Sequence, residues 1–366
     1  MKSFQRRRGS RAIVVGSGII GLCCANALSR RGWGVTILSD RQPGGASPAA
    51  GGILGPSVES GSGWAHDFGT RARDRYPDLL DDLDDRTGIR VPLLRNGILE
   101  VALSAEGARR LEGEAPAGSH WLTPDDLREL EPALSHASGA LHHPDDGAVD
   151  NVRLLEARLS ALNAEPSVEL KYVRVTELLR AEAATIAVRS AHAVHEGDVL
   201  VLAAGAWAPL ISGLPREIPV TPVRGQMLSL AAHPLAHVTY GPLGYLVPRG
   251  STTVLGTTME HTGFDLTTTE SGIAGIMSAS QSLCPALRVA PEVARWSGFR
   301  PMTPDHLPII GRDPELPSLV YACGHSRNGI LFAPITGEIV ASIASGDDPK
   351  AELLPLSISR FERNPL

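Results

Sequence analysis

The stretch Ile13-Val-Val-Gly-Ser-Gly-Ile-Ile-Gly21 decides the fold. Ala12 to Val15 are apolar and mostly β-branched, which suits a parallel strand buried on both faces. Gly16-x-Gly18-x-x-Gly21 follows directly, and Leu22 to Arg31, rich in Ala and Leu, reads as a helix. Strand, glycine turn and helix in that order form the first half of a Rossmann unit that holds a dinucleotide. Gly16 permits the tight turn, Gly18 lets a pyrophosphate approach the backbone, and Gly21 lets helix and strand pack closely. The phosphates then meet unpaired N–H groups at the helix N-terminus.

Gly34 to Leu38 is the expected second strand. An acidic residue at its end, about twenty residues past the glycines, ordinarily binds a ribose hydroxyl. Here Ser39 follows Leu38 directly and Asp40 comes one position later, so either side chain can take that place. The alternative for Asp40 is a solvated turn residue. With no Arg or Lys at position 39, a 2′-phosphate and hence NADP are disfavoured.

A chain of 366 residues with 43% hydrophobic and 20% charged content fits two domains sharing a cleft. A net charge of −6 leaves no basic footprint for nucleic acid. Lys2, Lys171 and Lys350 are the only lysines, and the abundance of Arg, Ala and Asp suggests a bacterial source. Cys23, Cys24, Cys284 and Cys323 have no metal-ligand or redox spacing, and the first two read as buried fillers on a helix. Arg6-Arg7-Arg8 before an apolar run imitates a secretory signal, but cleavage there would remove the glycine turn. We read it as a short basic tail. No other apolar run reaches the roughly 18 residues of a membrane span, and a cytoplasmic location is expected.

Further along, Pro43 to Pro56 is too poor in polar residues for an ordinary exposed loop. Trp64 to Thr87 reads as helical, and Val91 to Val101 as a hairpin turning at Asn96-Gly97. Thr123 is an N-cap with Pro124 at N1 and Asp126 at N3. A helix is expected over Asn151 to Leu162, and alternating strands over 168–175 and 185–194. Asp198 to Ala204 and Leu319 to Ala322 read as buried strands, the first returning to the N-terminal sheet. Strands with Gly/Pro turns fill 221–257, and a long helix covers Ile330 to Ser345. Dinucleotide-type features therefore recur at the start, middle and end, which predicts an α/β (α+β overall) chain of two interleaved domains.

Gly298-Phe-Arg-Pro-Met-Thr-Pro-Asp-His-Leu-Pro-Ile-Ile-Gly311 and Tyr321-Ala-Cys-Gly-His-Ser-Arg-Asn-Gly-Ile-Leu-Phe-Ala-Pro-Ile-Thr-Gly337 resemble the C-terminal signature of the glycine oxidase and D-amino acid oxidase (DAO) family. Ala46 to Gly55 resembles that family's flavin-side segment, Ala203-Ala-Gly-Ala-Trp207 its middle strand end, and Gly244-Tyr-Leu-Val-Pro-Arg249 a strand of its substrate domain. The motifs span nearly the whole chain in family order, and within the family they look most like bacterial glycine oxidases of thiamine biosynthesis.

The resemblance implies a discontinuous Rossmann-type FAD-binding domain (1–85, 145–215 and 297–366) interleaved with an antiparallel-sheet substrate domain (86–144 and 216–296). It places Gly16, Gly18, Ile19, Ile20 and Gly21 at the pyrophosphate, Ser39 and Asp40 at the ribose, and Val175 at the adenine. Ala46, Ser47, Gly51, Gly52 and Ile53 would pass beside the flavin. His325, Ser326, Arg327, Asn328, Gly329, Ile330 and Leu331 would wrap its isoalloxazine end, where backbone N–H groups of the last helix favour negative charge. No cysteine lies between Trp296 and Tyr321, where sarcosine-oxidase relatives tether their flavin, so non-covalent FAD is expected. A homo-oligomer is implied by resemblance alone, and no metal is expected.

The implied reaction passes a hydride from Cα to flavin N5; the imino acid hydrolyses to a 2-oxo acid and ammonia, and dioxygen becomes hydrogen peroxide. Hydride transfer from a neutral amine needs no side-chain base, so none is assigned, and His325 is read as cofactor packing. Arg300 is the implied substrate-carboxylate clamp, since a guanidinium pairs with a carboxylate bidentately; read bare, it is equally a surface ion-pair residue. Arg327 is either at the site or in a structural ion pair. Tyr245 can donate to the carboxylate, and Met259 is either an apolar wall or ordinary core.

Four positions depart from the family pattern. Met302 replaces a usual Gly and is expected to add bulk beside the clamp. Ser326 replaces an aromatic, Pro48 a small residue and Asn151 a frequent Pro. They leave FAD intact but open the substrate to a larger or specialised-pathway amine. Competing readings are a flavin dehydrogenase feeding a quinone or carrier, a silent FAD-binding subunit, and an NAD-dependent dehydrogenase resting on the glycine turn alone.

Overall fold

The computed structural model describes residues 9–60, 63–180, 185–347 and 351–361; the basic Arg6–Arg8 tail lies outside them. A six-stranded sheet has the order Ile309–Arg312, Leu319–Cys323, Val199–Leu202, Arg11–Val15, Gly34–Leu38, Val168–Lys171. It is parallel except for its first strand, which runs antiparallel to Leu319–Cys323. Both sheet faces are covered, which explains the near-continuous apolar strands. Ala12 and Val14 pack towards the helices Ile19–Arg30 and Gly329–Ala344. Ile13 and Val15 face the other way, into a cluster with Leu200, Tyr321 and the three-stranded sheet Val175–Arg180, Ile186–Ser190, Val194–Gly197.

The second large sheet has eight strands, in the order Glu292–Met302, Thr221–Leu230, Thr252–Gly256, Gly244–Arg249, Val238–Gly241, Ile98–Val101, Ala140–His143, His120–Leu122. It is antiparallel except where Val238–Gly241 pairs with Ile98–Val101. Each large sheet thus draws on segments far apart in the chain. Position 297 falls inside Glu292–Met302, which pairs with Thr221–Leu230 along its whole length.

Local expectations hold where the signal is local. Thr123 forms a capping box with Asp126, and Asp150 caps the helix Asn151–Asn163 through Val152 and Arg153. The helical stretch from Trp64 divides into Trp64–Arg73 and Tyr76–Thr87, because Pro77 lacks an N–H and restricts the residue before it. The Asn96-Gly97 hairpin does not form. Leu93–Leu94 joins Gly147–Val149 in a small sheet while Ile98–Val101 enters the large one, and Asn96 donates its side-chain amide to Ala236 O at 2.9 Å. The turn residues are present, but the flanking strands find better partners elsewhere.

The segment Gly44–Ile53 crosses between the two large sheets. Phe299 N–H donates to Gly44 O at 2.9 Å and Trp296 Nε1 to Ala49 O at 3.0 Å. Asn151 donates to Ser47 O at 2.7 Å, and Arg249 to Gly51 O at 2.9 Å. Its backbone polar groups are satisfied by these long-range partners, which is why it needs few polar side chains of its own.

Candidate active site

A cavity of about 930 Å³ opens at the carboxyl ends of the parallel strands and runs between the two large sheets. That is the crevice where open α/β sheets bind ligands, and the volume is at the upper end of the usual range of about 300–1,000 Å³. Gly16, Gly18, Ile19 and Ile20 line one stretch, Ser39, Asp40 and Val175 one end, and Ala46, Ser47, Gly51, Gly52 and Ile53 the middle. His325 to Ile330, Tyr245, Met259 and Arg300 line the rest.

The glycine turn is sterically enforced. Gly16 has φ +113°, and a Cβ there would fall 2.3 Å from Ala203 O. Gly21 stands outside the lining; a Cβ on it would fall 2.0 Å from Gly16 O, so it acts by packing the helix onto the turn. Neither N-cap residue, Gly18 or Asn328, supplies a side-chain acceptor to its helix. Two helix N-termini therefore border the cavity with N–H groups that favour anions. At the far end Ser17 Oγ donates to Ser39 Oγ at 2.9 Å. Asp40 is no free turn residue: it accepts from Arg174 and Gln42, each at 2.6 Å.

At the other end Arg300 is half-buried at the cavity rather than paired on the surface. Its guanidinium donates to Thr257 Oγ1 at 2.7 Å and Thr258 O at 3.2 Å. Among the described residues no carboxylate lies within ion-pair distance of it, and burial pulls its pKa down. Space for the group exists because position 225 is glycine; a Cβ there would fall 2.2 Å from Arg300 Nη1. Tyr245 stands beside it, its phenol pKa raised by burial, so it remains a hydrogen-bond donor. Met259 is 53% exposed at the cavity wall and is not core. His325 is buried and pushed down to about 3 by burial, with Nε2 3.1 Å from Thr336 Oγ1.

Two expected positions lie outside the cavity lining. Met302 is buried opposite Thr221 and does not reach the cavity; two residues beyond Arg300, it lies about 6.6 Å further along the strand, past the cavity edge. It therefore adds no bulk beside the clamp. The side chain of Leu331 turns into the core with Phe332, so only its backbone N–H is left for the expected role. Ser326 does line the cavity, held at φ +50° by its N–H to Pro301 O at 3.0 Å.

Residues that sequence reading missed complete the site. Arg327 pairs with Glu59 at 2.8 Å, and Tyr240 donates to the same carboxylate at 2.7 Å. Glu59 carries no motif or periodicity that would single it out. Arg249 ends the strand Gly244–Arg249, and its bond to Gly51 ties the crossing segment to that strand. A flavin dinucleotide fits this arrangement: the glycine cradle and two helix N-termini suit its phosphates and the electron-rich end of its ring. Among the described residues no group of three or more His, Cys, Asp or Glu could hold a metal, and no helix is long and apolar enough to cross a membrane.

Comparison with known proteins agrees. The profile described as DAO, FAD dependent oxidoreductase, matches residues 11–343. Glycine oxidase of Geobacillus kaustophilus is 32% identical over 95% of this chain and 96% of its own. The bifunctional protein ThiO/ThiG of Trichormus variabilis is 33% identical over 96% of this chain, but the chain spans only 55% of that relative. The crystal structure of the Geobacillus glycine oxidase superposes with TM-score 0.89 at 30% identity, over 96% of this chain and 99% of that one. Iminodiacetate oxidase from Chelativorans sp. superposes with TM-score 0.85 at 25% identity, over 95% and 98%. With its glycine cradle, crossing segment and C-terminal motifs lining one cavity, this chain belongs to the DAO family of FAD-dependent oxidoreductases.

Proposed function

We propose that the chain oxidises glycine or another small amino acid or secondary amine to a 2-oxo acid. The observation that carries this reading is Arg300: a half-buried guanidinium at the cavity, with no carboxylate beside it among the described residues. An unpaired, partly desolvated charge is costly, and a substrate carboxylate relieves that cost through a bidentate pair. Relatives named glycine oxidase support the small substrate. In this reading Arg300 fixes the carboxylate and Tyr245 donates a further hydrogen bond to it. Met259 and the crossing segment close the Cα position away from water, and orientation supplies most of the catalysis. Bound FAD, held non-covalently, supplies the two-electron acceptor, with dioxygen as the final oxidant. The balance is amino acid, dioxygen and water giving 2-oxo acid, ammonia and hydrogen peroxide. No side chain is assigned as base: buried His325, with its pKa pushed down to about 3, is too weak a base to take a proton.

We take the two large sheets as the cores of an FAD-binding and a substrate domain, with the boundary expected at 297 moved past the strand Glu292–Met302. Four free, buried cysteines suit the reducing cytoplasm. The test is anaerobic mixing of the yellow protein with glycine, sarcosine and D- and L-amino acids, followed by air. Bleaching and then rapid peroxide formation is the expected result. Bleaching without peroxide makes the protein a dehydrogenase, and no bleaching by any of them overturns the substrate class.

A further inference from the structure

The substrate end of the cavity holds two guanidinium groups in different electrostatic states. Arg300 has only neutral oxygens as hydrogen-bond acceptors. Arg327, 52% exposed at its side chain, is paired through Nη2 with Glu59 Oε2 at 2.8 Å. The other oxygen of Glu59 accepts the Tyr240 hydroxyl at 2.7 Å. Burial, and then the Glu59 charge, push the Tyr240 phenol well above its ordinary pKa, so it stays a donor. One oxygen of this mostly buried carboxylate thus accepts the Tyr240 hydroxyl, while the other meets Arg327 as an ion pair without an aligned hydrogen bond, so the carboxylate already stands where a ligand carboxylate would pair with Arg327.

We propose that Glu59 determines specificity by acting as a resident carboxylate on Arg327, so that the site takes ligands with one carboxylate and rejects those with two. The inference rests on reading the cavity as an amino-acid site. Two guanidinium groups and one carboxylate leave a single positive charge, which one substrate carboxylate neutralises. The groups sense each other: Arg300 is affected by Arg327 and by Glu59 in opposite directions. A second ligand carboxylate would have to displace Glu59 from Arg327, leaving Glu59 buried and unpaired, or lie beside it as a like charge. Either outcome is unfavourable. A glutamine at position 59 keeps an acceptor for Tyr240 while freeing Arg327 to take the second acid group.

The experiment titrates the FAD-loaded full chain with acetate, malonate, succinate and glutarate, read by the change in flavin absorbance and by calorimetry. The wild type is expected to bind acetate at least about tenfold more tightly than any of the three dicarboxylates. In Glu59→Gln at least one dicarboxylate gains about tenfold relative to acetate, and adding Arg327→Gln abolishes that gain. A wild type that binds a dicarboxylate as tightly as acetate overturns the proposal, whether or not the variants fold. An unchanged ratio in Glu59→Gln, with acetate bound, overturns it alone and spares the amino-acid reading. A wild type that binds none of the four, acetate included, overturns that reading and this inference with it.

Discussion

The hydroxyl of Ser47 accepts a hydrogen bond from the backbone N–H of Ile19 at 3.0 Å. The helix Ile19–Arg30 opens at Gly18, which has no side chain to serve as a cap, so a residue of the crossing segment does so from a distance. Ser47 is itself fixed by Asn151, whose amide holds its carbonyl at 2.7 Å. The glycine turn, the crossing segment and the helix Asn151–Asn163 are therefore one mechanical unit. A Cβ at position 18 would fall 3.2 Å from the Ser47 hydroxyl, so the closeness of the turn depends on this contact too.

Ser47→Ala removes the acceptor and leaves the Ile19 N–H without its partner. The apoprotein is expected to lose about 1 kcal/mol, in the range measured for loss of a helix cap, with Ser47→Thr losing distinctly less. Urea unfolding of the two variants measures it. An unchanged midpoint in Ser47→Ala would show that the contact does not cap the helix.

Arg300→Ala is expected to weaken acetate binding by about 3 kcal/mol, the cost of truncating one side of a desolvated charge pair, which is more than a hundredfold in Kd. Arg300→Lys keeps the charge but loses the planar fork and falls between the two. Steady-state kinetics on the best substrate should show the loss mainly in KM. A comparable fall in kcat at unchanged KM would mean that Arg300 acts on the reacting bond instead of holding the carboxylate.

The N-terminal unit was legible because each of its requirements is local. Gly16 must reach φ +113° beneath Ala203, and no other residue type does so without strain. Val199–Leu202 and Leu319–Cys323 were legible for a related reason, since burial on both faces erases alternation and leaves an apolar run. Asn96-Gly97 shows the limit: the turn signal is local, but pairing partners for the flanking strands are chosen by the whole fold.

The site was legible only in its outline. Glu59 meets Tyr240 from 181 positions away, and no spacing rule connects them. The room for Arg300 comes from Gly225 on a neighbouring strand, whose importance is the absence of an atom. Met302 lies outside the lining although it is two residues from Arg300, because a strand moves away from the site by about 3.3 Å per residue.

His325 provides a pH signature of folding. Burial holds its pKa near about 3, while in the unfolded chain it titrates near the ordinary value of about 6.5. The depressed value means that the unfolded chain binds the proton first. Its contribution to stability is fully present above pH 6.5 and is lost as the pH falls from there towards 3. Between pH 7 and 5 that loss amounts to about 2 kcal/mol for one proton. His325→Gln cannot take up the proton in either state. Urea unfolding at both pH values should therefore show the wild type losing about 2 kcal/mol more than the variant, other carboxylates and histidines contributing equally to both. Parallel losses in the two proteins would mean that the buried imidazole is protonated in the native state, and that its contact with Thr336 is one that a charged ring can keep.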